Sequence, residues 1–251
     1  MRTLAVIPAR LGATRLPRKP LRQLAGLPLV VRVWNRVSEI GVAERVVVAT
    51  DSEEVAAAAA AHGAMAVMTS HIHPSGTHRV AEVARRPEFA GFDVVVNVQG
   101  DEPFVSRAAV LGAAEVVTKR GFPLGTAAVV ADQRALLDPS VVKVVAADDG
   151  RAMYFSRAAI PYLREAIDAP LQRSRIWQHL GVYAYTRDAL MQWIALPESP
   201  LEQIERLEQL RPLAAGMRIG VALVDEPARP GIDTEDDLER ANRDWLALTT
   251  G

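Results

Sequence analysis

Short continuous apolar runs rich in β-branched residues recur along the first half of the chain, at residues 3–8, 45–50, 64–68, 93–98 and 125–130. Runs of this kind, without polar alternation, belong to strands covered on both faces, as in a parallel sheet. The segments between them read as helices. Residues 28–40 place Val30, Val33, Trp34 and Val37 on one face, and Gly41 is the stop signal. Residues 51–61 open with Asp51 and Ser52 as capping candidates and close at Gly63. Strands alternating with helices predict a doubly wound, mostly parallel Rossmann-like α/β sheet, whose ligands sit beyond the carboxyl ends of the strands.

After about residue 130 the pattern changes. Residues 141–147 and 152–156 flank Asp148-Asp149-Gly150-Arg151, which predicts an antiparallel hairpin turning at the glycine. A proline-punctuated stretch follows, then a short strand at 180–185 and helices near 187–195 and 200–211. A strand at 218–224 and a closing helix at 235–248 complete the chain. No repeat, low-complexity tract or linker interrupts it. The expectation is one domain over 1–251, with an N-terminal half (1–130), a subdomain (131–225) and a C-terminal helix (226–251).

With 49% hydrophobic and 24% charged residues among 251, the chain can build its own core. It has no cysteine, which removes disulfides, thiolate metal sites and a cysteine nucleophile together. A formal net charge of −1 gives no overall attraction to nucleic acid or anionic membrane, so anion binding must be local. The opening apolar run is too short for a signal or spanning segment, and a cytoplasmic protein is expected.

Local anion binding has an obvious candidate. Between Arg10 and Arg22, at the carboxyl end of the first strand, five cations fall within thirteen residues. The loop holds a single glycine, so neither of the glycine-rich phosphate motifs applies, and charged side chains must balance a polyphosphate. Pro8, Pro17 and Pro20 stiffen it. At the same sheet edge, Asn97-Val98-Gln99-Gly100-Asp101-Glu102-Pro103 brings a carboxylate able to hold a hard cation against phosphate. A second acidic group surrounds Asp233. Thr234 and Asp237 there read as a capping box, which leaves Asp233 outside the needs of the helix. His179 and Tyr183 share a strand face by their even spacing. Glu202, Glu205 and Glu208 run beside the apolar stripe of the helix predicted at 200–211.

These segments, together with Ile7-Pro8-Ala9-Arg10, Thr14-Arg15-Leu16-Pro17-x-Lys19-Pro20-Leu21, Ser75-Gly76-Thr77-x-Arg79, Tyr154-Phe155-Ser156-Arg157-Ala158-x-Ile160-Pro161 and His179-Leu180-Gly181-Val182-Tyr183, resemble the 3-deoxy-manno-octulosonate (Kdo) cytidylyltransferases. The resemblance runs over essentially the whole chain. It implies transfer of CMP from CTP to Kdo, giving CMP-Kdo and pyrophosphate for lipopolysaccharide biosynthesis, with Mg²⁺ as cofactor. It also implies a homodimer built largely through the second half.

By that resemblance Arg10, Arg15 and Lys19 hold the triphosphate and Asp101 and Asp233 hold Mg²⁺, so that Lys19, Arg10, Asp101 and Asp233 form the catalytic group. Pro8, Ala9, Ser75 and Gly76 line the cytosine pocket. Arg79, Gln99, Arg157, Arg164, His179, Tyr183 and Glu208 face the sugar acid. The chain departs from the family at Ala13, where Ser is usual, and at Arg18, where Gly is usual. Cytidylyltransferases for 8-amino-Kdo, sialic acid or another acidic sugar stay open as alternatives. A silent nucleotide binder would have lost Lys19 or a metal ligand, and a nucleic-acid binder would carry stacking aromatics that the first loop lacks.

Overall fold

The structure, a computed structural model, describes residues 1–12, 15–227, 229–245 and 247. Its chain forms two compact units, one from 1–107 with 229–251 and the other from 108–228. The boundary thus falls earlier than the change of sequence pattern near 130, and the C-terminal segment rejoins the first unit.

The first unit begins with β1 (Thr3–Ala9), a small hairpin of β2 (Gln23–Leu24) and β3 (Leu27–Pro28), and α1 (Leu29–Ile40). It continues through β4 (Arg45–Thr50), α2 (Glu53–Ala60), β5 (Met65–Met68), α3 (Gly76–Arg85) and β6 (Val94–Asn97). Its parallel strands lie in the order β5-β4-β1-β6. The chain steps outward from β1 to β5 and then crosses back to pair β6 on the other side of β1. The order therefore reverses beside β1, and the loops after β1 and β6 leave the same edge side by side. Leu4, Ala5, Val6 and Ile7 of β1 are fully buried, as a strand covered on both faces requires. The helix signals hold: Gly41 ends α1 in the left-handed region at φ 71°, and the Ser52 hydroxyl caps α2 by accepting from the Val55 amide at 3.4 Å.

In the second unit α4 (Arg107–Thr118) leads to β7 (Leu124–Val130), α5 (Gln133–Leu137), β8 (Lys143–Ala146), β9 (Ala152–Ser156) and α6 (Ala169–Ser174). Then follow β10 (Trp177–Thr186), α7 (Arg187–Ala195), α8 (Pro200–Glu205), α9 (Leu210–Ala214) and β11 (Ile219–Val224). β11 runs parallel to β7, while β10 is antiparallel to β7 and β8. β8 and β9 form the predicted antiparallel hairpin, with Gly150 at φ 78° in its turn. The class is α/β, mostly parallel with an antiparallel hairpin, as its pattern predicts.

One predicted helix is corrected. Residues 200–211 form two short helices, because Arg206 adopts the left-handed region at φ 56° and ends α8. Glu202, in the capping box of α8, accepts two bonds from Arg211 at 2.7 Å each, which folds α9 back onto α8. The side-chain pairing outweighs the continuous apolar stripe that predicted one helix.

α10 (Glu235–Arg243) returns to the first unit. Of the closing helix predicted to reach residue 248, positions 246 and 248 lie outside the described residues, as do Ala13 and Thr14. No helix among the described residues is long and apolar enough to cross a membrane.

Candidate active site

At the reversal of strand order the backbone is packed so closely that side chains are excluded. A Cβ on Gly100 would lie 2.7 Å from the Pro8 carbonyl oxygen, so the loop after β6 can touch the end of β1 only with glycine there. Gly76, the first residue of α3, presents the same corner: a Cβ there would meet Pro8 Cγ at 3.5 Å and Gln99 Oε1 at 3.9 Å. Pro8, Ala9, Gly76 and Gln99 thus converge on one edge of the sheet. Ser75 stands at the N-cap of α3 with its hydroxyl 3.0 Å from His78 Nδ1. Arg10 follows β1 and is exposed.

The basic loop is anchored by apolar contacts as well as by its charges. Leu16 is fully buried with Leu24 and Leu29 of the following segments and with Ile232, Leu238 and Ala241 of the C-terminal segment. Each such large side chain contributes about 1.5–3 kcal/mol on burial. The Ile232 amide donates to the Asp101 carbonyl at 2.9 Å, and the capping box of α10 is formed by Thr234 and Asp237. Asp237 also accepts from the Asp233 amide at 3.2 Å. Asp233 is therefore delivered to the first loop, 214 residues away in sequence, by backbone bonds and a shared apolar cluster.

The result is a charge cluster. Lys19 Nζ donates to Asp101 Oδ2 at 2.7 Å and to Asp233 Oδ1 at 2.8 Å, and Arg15 Nη2 lies 3.1 Å from Asp233 Oδ2. Burial opposes the ammonium charge, but the two carboxylates outweigh it and raise the Lys19 pKa. Glu102, a neighbour the sequence reading quoted but assigned no role, is pushed up to about 7 by burial and by the charges of Asp101 and Asp233, with Lys19 opposing. Arg22 closes the flank with a two-pronged pair to Glu235.

Two carboxylates converge on the Lys19 ammonium, with Arg15 beside Asp233, and leave oxygen lone pairs facing the same corner. Among the described residues no group of three metal-ligating side chains forms a complete cage. Two hard oxygen donors without a cage fit Mg²⁺, which is held by one or two carboxylates and completed by water and phosphate.

Arg79 is buried, and its guanidinium donates to Asp51 Oδ2 at 2.7 Å and to the Thr69 hydroxyl. It ties α3 to the carboxyl ends of β4 and β5.

The second unit carries the remaining candidates. The Arg157 amide donates to Glu205 Oε2 at 2.9 Å, its Nε to the Glu205 carbonyl at 3.0 Å and its Nη1 to the Pro139 carbonyl at 3.2 Å. Ser156 donates to the same Glu205 carboxylate at 2.6 Å. Lys143, fully buried, donates to the carbonyls of Asp138, Val141 and Arg157 at 2.6–2.8 Å. Arg157 is thereby pinned at its amide, its carbonyl and two of its guanidinium nitrogens, Nε and Nη1. Arg164 lies on the surface, 3.7 Å from Glu165, and keeps 89% of its side-chain exposure.

His179 and Tyr183 do share a face, their ring centroids 5.5 Å apart, with Phe155 edge-on to His179 at 5.0 Å. Burial lowers the His179 imidazole to about 3, and burial, Tyr185 and Glu208 hold the Tyr183 phenol well above its usual range. Both are neutral across ordinary pH. The contacts of Glu205 and Glu102 have no local sequence signal, since Glu205 meets Arg157 48 residues away and Glu102 feels Lys19 and Asp233; Lys143 lies in none of the motifs named above.

The cytidylyltransferase family model matches residues 4–219. The 3-deoxy-manno-octulosonate cytidylyltransferase of Gemmatimonas aurantiaca is 63% identical over 99% of this chain and 96% of that protein. Its counterpart in Leptothrix cholodnii is 47% identical over 95% of this chain and 89% of that protein. A solved CMP:2-keto-3-deoxy-manno-octonic acid synthetase complexed with CTP superposes with a TM-score of 0.90 at 37% identity, covering 98% of this chain and 99% of that one. The chain belongs to the cytidylyltransferase family, among the 3-deoxy-manno-octulosonate cytidylyltransferases.

Proposed function

We propose that this nucleotidyltransferase transfers CMP from CTP to Kdo, giving CMP-Kdo and pyrophosphate for lipopolysaccharide biosynthesis. The observation that carries the reading is the Lys19 ammonium shared by Asp101 and Asp233 beside the switch point of the parallel strands. In the reaction the anomeric hydroxyl of the sugar attacks the α-phosphorus, the bond from that phosphorus to the pyrophosphate oxygen breaks, and the hydroxyl proton is released. Two anionic reactants must be held together, so the chain's main tasks are positioning and charge stabilisation.

Lys19, Arg15 and the exposed Arg10 bind the triphosphate oxygens. Pro8, Ala9, Ser75 and Gly76 form the cytosine side, where close backbone packing leaves amides and carbonyls to read the base. Asp101 and Asp233 would hold Mg²⁺, which supplies Lewis-acid stabilisation of phosphoryl charge and lowers the pKa of a bound hydroxyl. In the second unit Arg157 offers its remaining N–H donors, Nη2 foremost, to the sugar carboxylate, Arg164 adds a second cation, and His179, Tyr183 and Glu208 serve the hydroxyls; Gln99 of the first unit is read as a further sugar ligand. Arg79, bonded to Asp51 and Thr69, serves the framework in this reading. The exposed Tyr162, Ile167, Leu171 and Ile204 support a homodimer through the second unit, and the reading takes the enzyme to act in the cytoplasm.

The test is pyrophosphate release by the purified protein with CTP, Mg²⁺ and a panel of Kdo, 8-amino-Kdo and sialic acid. Kdo is expected to be the best acceptor, and Asp101→Asn and Asp233→Asn are each expected to lower turnover by about 10² or more while the fold is kept. Preference for sialic acid would overturn the acceptor, and normal turnover of Asp101→Asn would overturn the metal role.

A further inference from the structure

β10 does not run evenly along β7. Leu180 pairs with Ala127 and Tyr183 pairs with Thr126, so Gly181 and Val182 form a two-residue bulge. In an unbroken strand, residues four apart stand about 13 Å from each other. The bulge instead brings the His179 and Tyr183 rings to 5.5 Å. Because two residues are extruded rather than one, the side-chain parity survives and both rings stay on the face that carries Thr126.

Thr126 is fully buried with its hydroxyl inside the bulge. Its oxygen lies 2.7 Å from the Val182 carbonyl, 3.3 Å from the Leu180 carbonyl and 2.8 Å from His179 Nε2. Carbonyls only accept, and a hydroxyl has one proton, so that proton points to Val182 and is shared with Leu180. Toward His179 the oxygen can then only accept, which requires hydrogen on Nε2. Desolvation keeps the ring neutral. A neutral ring protonated at Nε2 carries a bare lone pair at Nδ1, and the edge contact with Phe155 fixes the ring plane.

We propose that Thr126 is a positioning residue for the acceptor sugar: its hydroxyl holds the bulge together and fixes His179 in the Nε2–H tautomer, so that Nδ1 accepts a hydrogen bond from a sugar hydroxyl. The proposal rests on the reading of His179 and Tyr183 as facing the sugar.

The tautomer is read directly by long-range proton–nitrogen correlation NMR on the labelled, ligand-free protein, with His179→Gln as the assignment control. The Nε2–H form is expected near neutral pH; the Nδ1–H form or an imidazolium would overturn the proposal. In steady-state kinetics Thr126→Val, nearly isosteric, is expected to raise KM for Kdo about tenfold and KM for CTP less than about twofold, as loss of one buried hydrogen bond would. Thr126→Ser is expected to restore the parent values. An unchanged KM for Kdo in Thr126→Val, an equal rise for both substrates, or a Ser variant that behaves like Val would overturn it. If Thr126→Val does not fold, the NMR of the parent and the Ser kinetics decide. A parent KM for Kdo in His179→Gln, with the Nε2–H tautomer in place, would remove the sugar-facing reading, and this proposal with it, while leaving the tautomer assignment intact.

Discussion

Lys19 Nζ is within 2.8 Å of both Asp101 and Asp233, and removing it leaves two carboxylates and Glu102 close together with less compensation. Lys19→Ala is therefore expected to melt lower by about 1–2 kcal/mol without divalent cation, to regain that loss in millimolar Mg²⁺, and to lose most turnover. Calorimetry with and without Mg²⁺ checks this, and a melting curve indifferent to the ion would contradict a metal site between the carboxylates. The neighbouring departure from the family now has a geometric account. Arg18 sits at φ 57°, a conformation natural to glycine, while its guanidinium pairs with Glu54 on α2. Both side chains are more than half exposed, so the pair is worth little. The left-handed strain costs about 1 kcal/mol, and the flexibility that glycine adds to the unfolded chain costs a similar amount. Arg18→Gly is expected to melt within about 1 kcal/mol of the parent and to keep its turnover; a tenfold loss would give Arg18 a role at the triphosphate. His179, lowered to about 3 in the fold against about 6.5 unfolded, takes up protons on unfolding between those values. Its share of stability is fully present above about pH 6.5 and is lost as pH falls toward 3. His179→Gln is expected to flatten that part of the stability curve, which urea unfolding at stepped pH would measure.

Elements deliver these residues, and α10 does so by identifiable bonds. At α10 the Asp237 carboxylate accepts from the amides of Asp233 and Thr234 and from the Thr234 hydroxyl. Thr234→Ala removes the cap, so a loss of about 1 kcal/mol is expected, with a fall in turnover from a loosened Asp233. Turnover equal to the parent's would show that Asp233 is held by Ile232 and its apolar cluster alone. In the second unit β7 lies directly against α4. A Cβ on Gly125 would stand 2.3 Å from the Ala113 carbonyl, and backbone on both sides cannot yield. Gly125→Ala is expected to cost at least about 2 kcal/mol, read as a lower denaturation midpoint.

For the whole molecule, the homodimer proposed above would draw on exposed apolar residues of the second unit. Ile204 keeps 77% of its exposure and Ile167 86%, on a chain whose net charge of −1 does little to keep copies apart. The double variant Ile167→Glu with Ile204→Glu is expected to shift the protein from dimer to monomer in light scattering. A parent that runs as a monomer at micromolar concentration would remove the dimer from the proposed function.

Much of this was legible along the chain. Buried parallel strands need continuous apolar runs, helix ends need caps and glycines, and a hairpin turn needs a residue free at positive φ; each leaves a local mark, so 3–8, Ser52, Gly41 and Gly150 could be read by position. The basic loop after β1 and the place of Asp101 at the same sheet edge are legible because the edge where strands end in a parallel sheet is a matter of order. What tertiary structure alone decided depends on groups that meet from far apart. The break of α8 at Arg206, the pinning of Arg157 by Glu205 and Lys143, and the raised Glu102 carboxyl each arise from partners brought together by packing. So does the closeness of His179 and Tyr183. Their shared face follows from strand period, but the 5.5 Å between their rings exists because a buried hydroxyl stabilises two extruded residues, and no local periodicity encodes that.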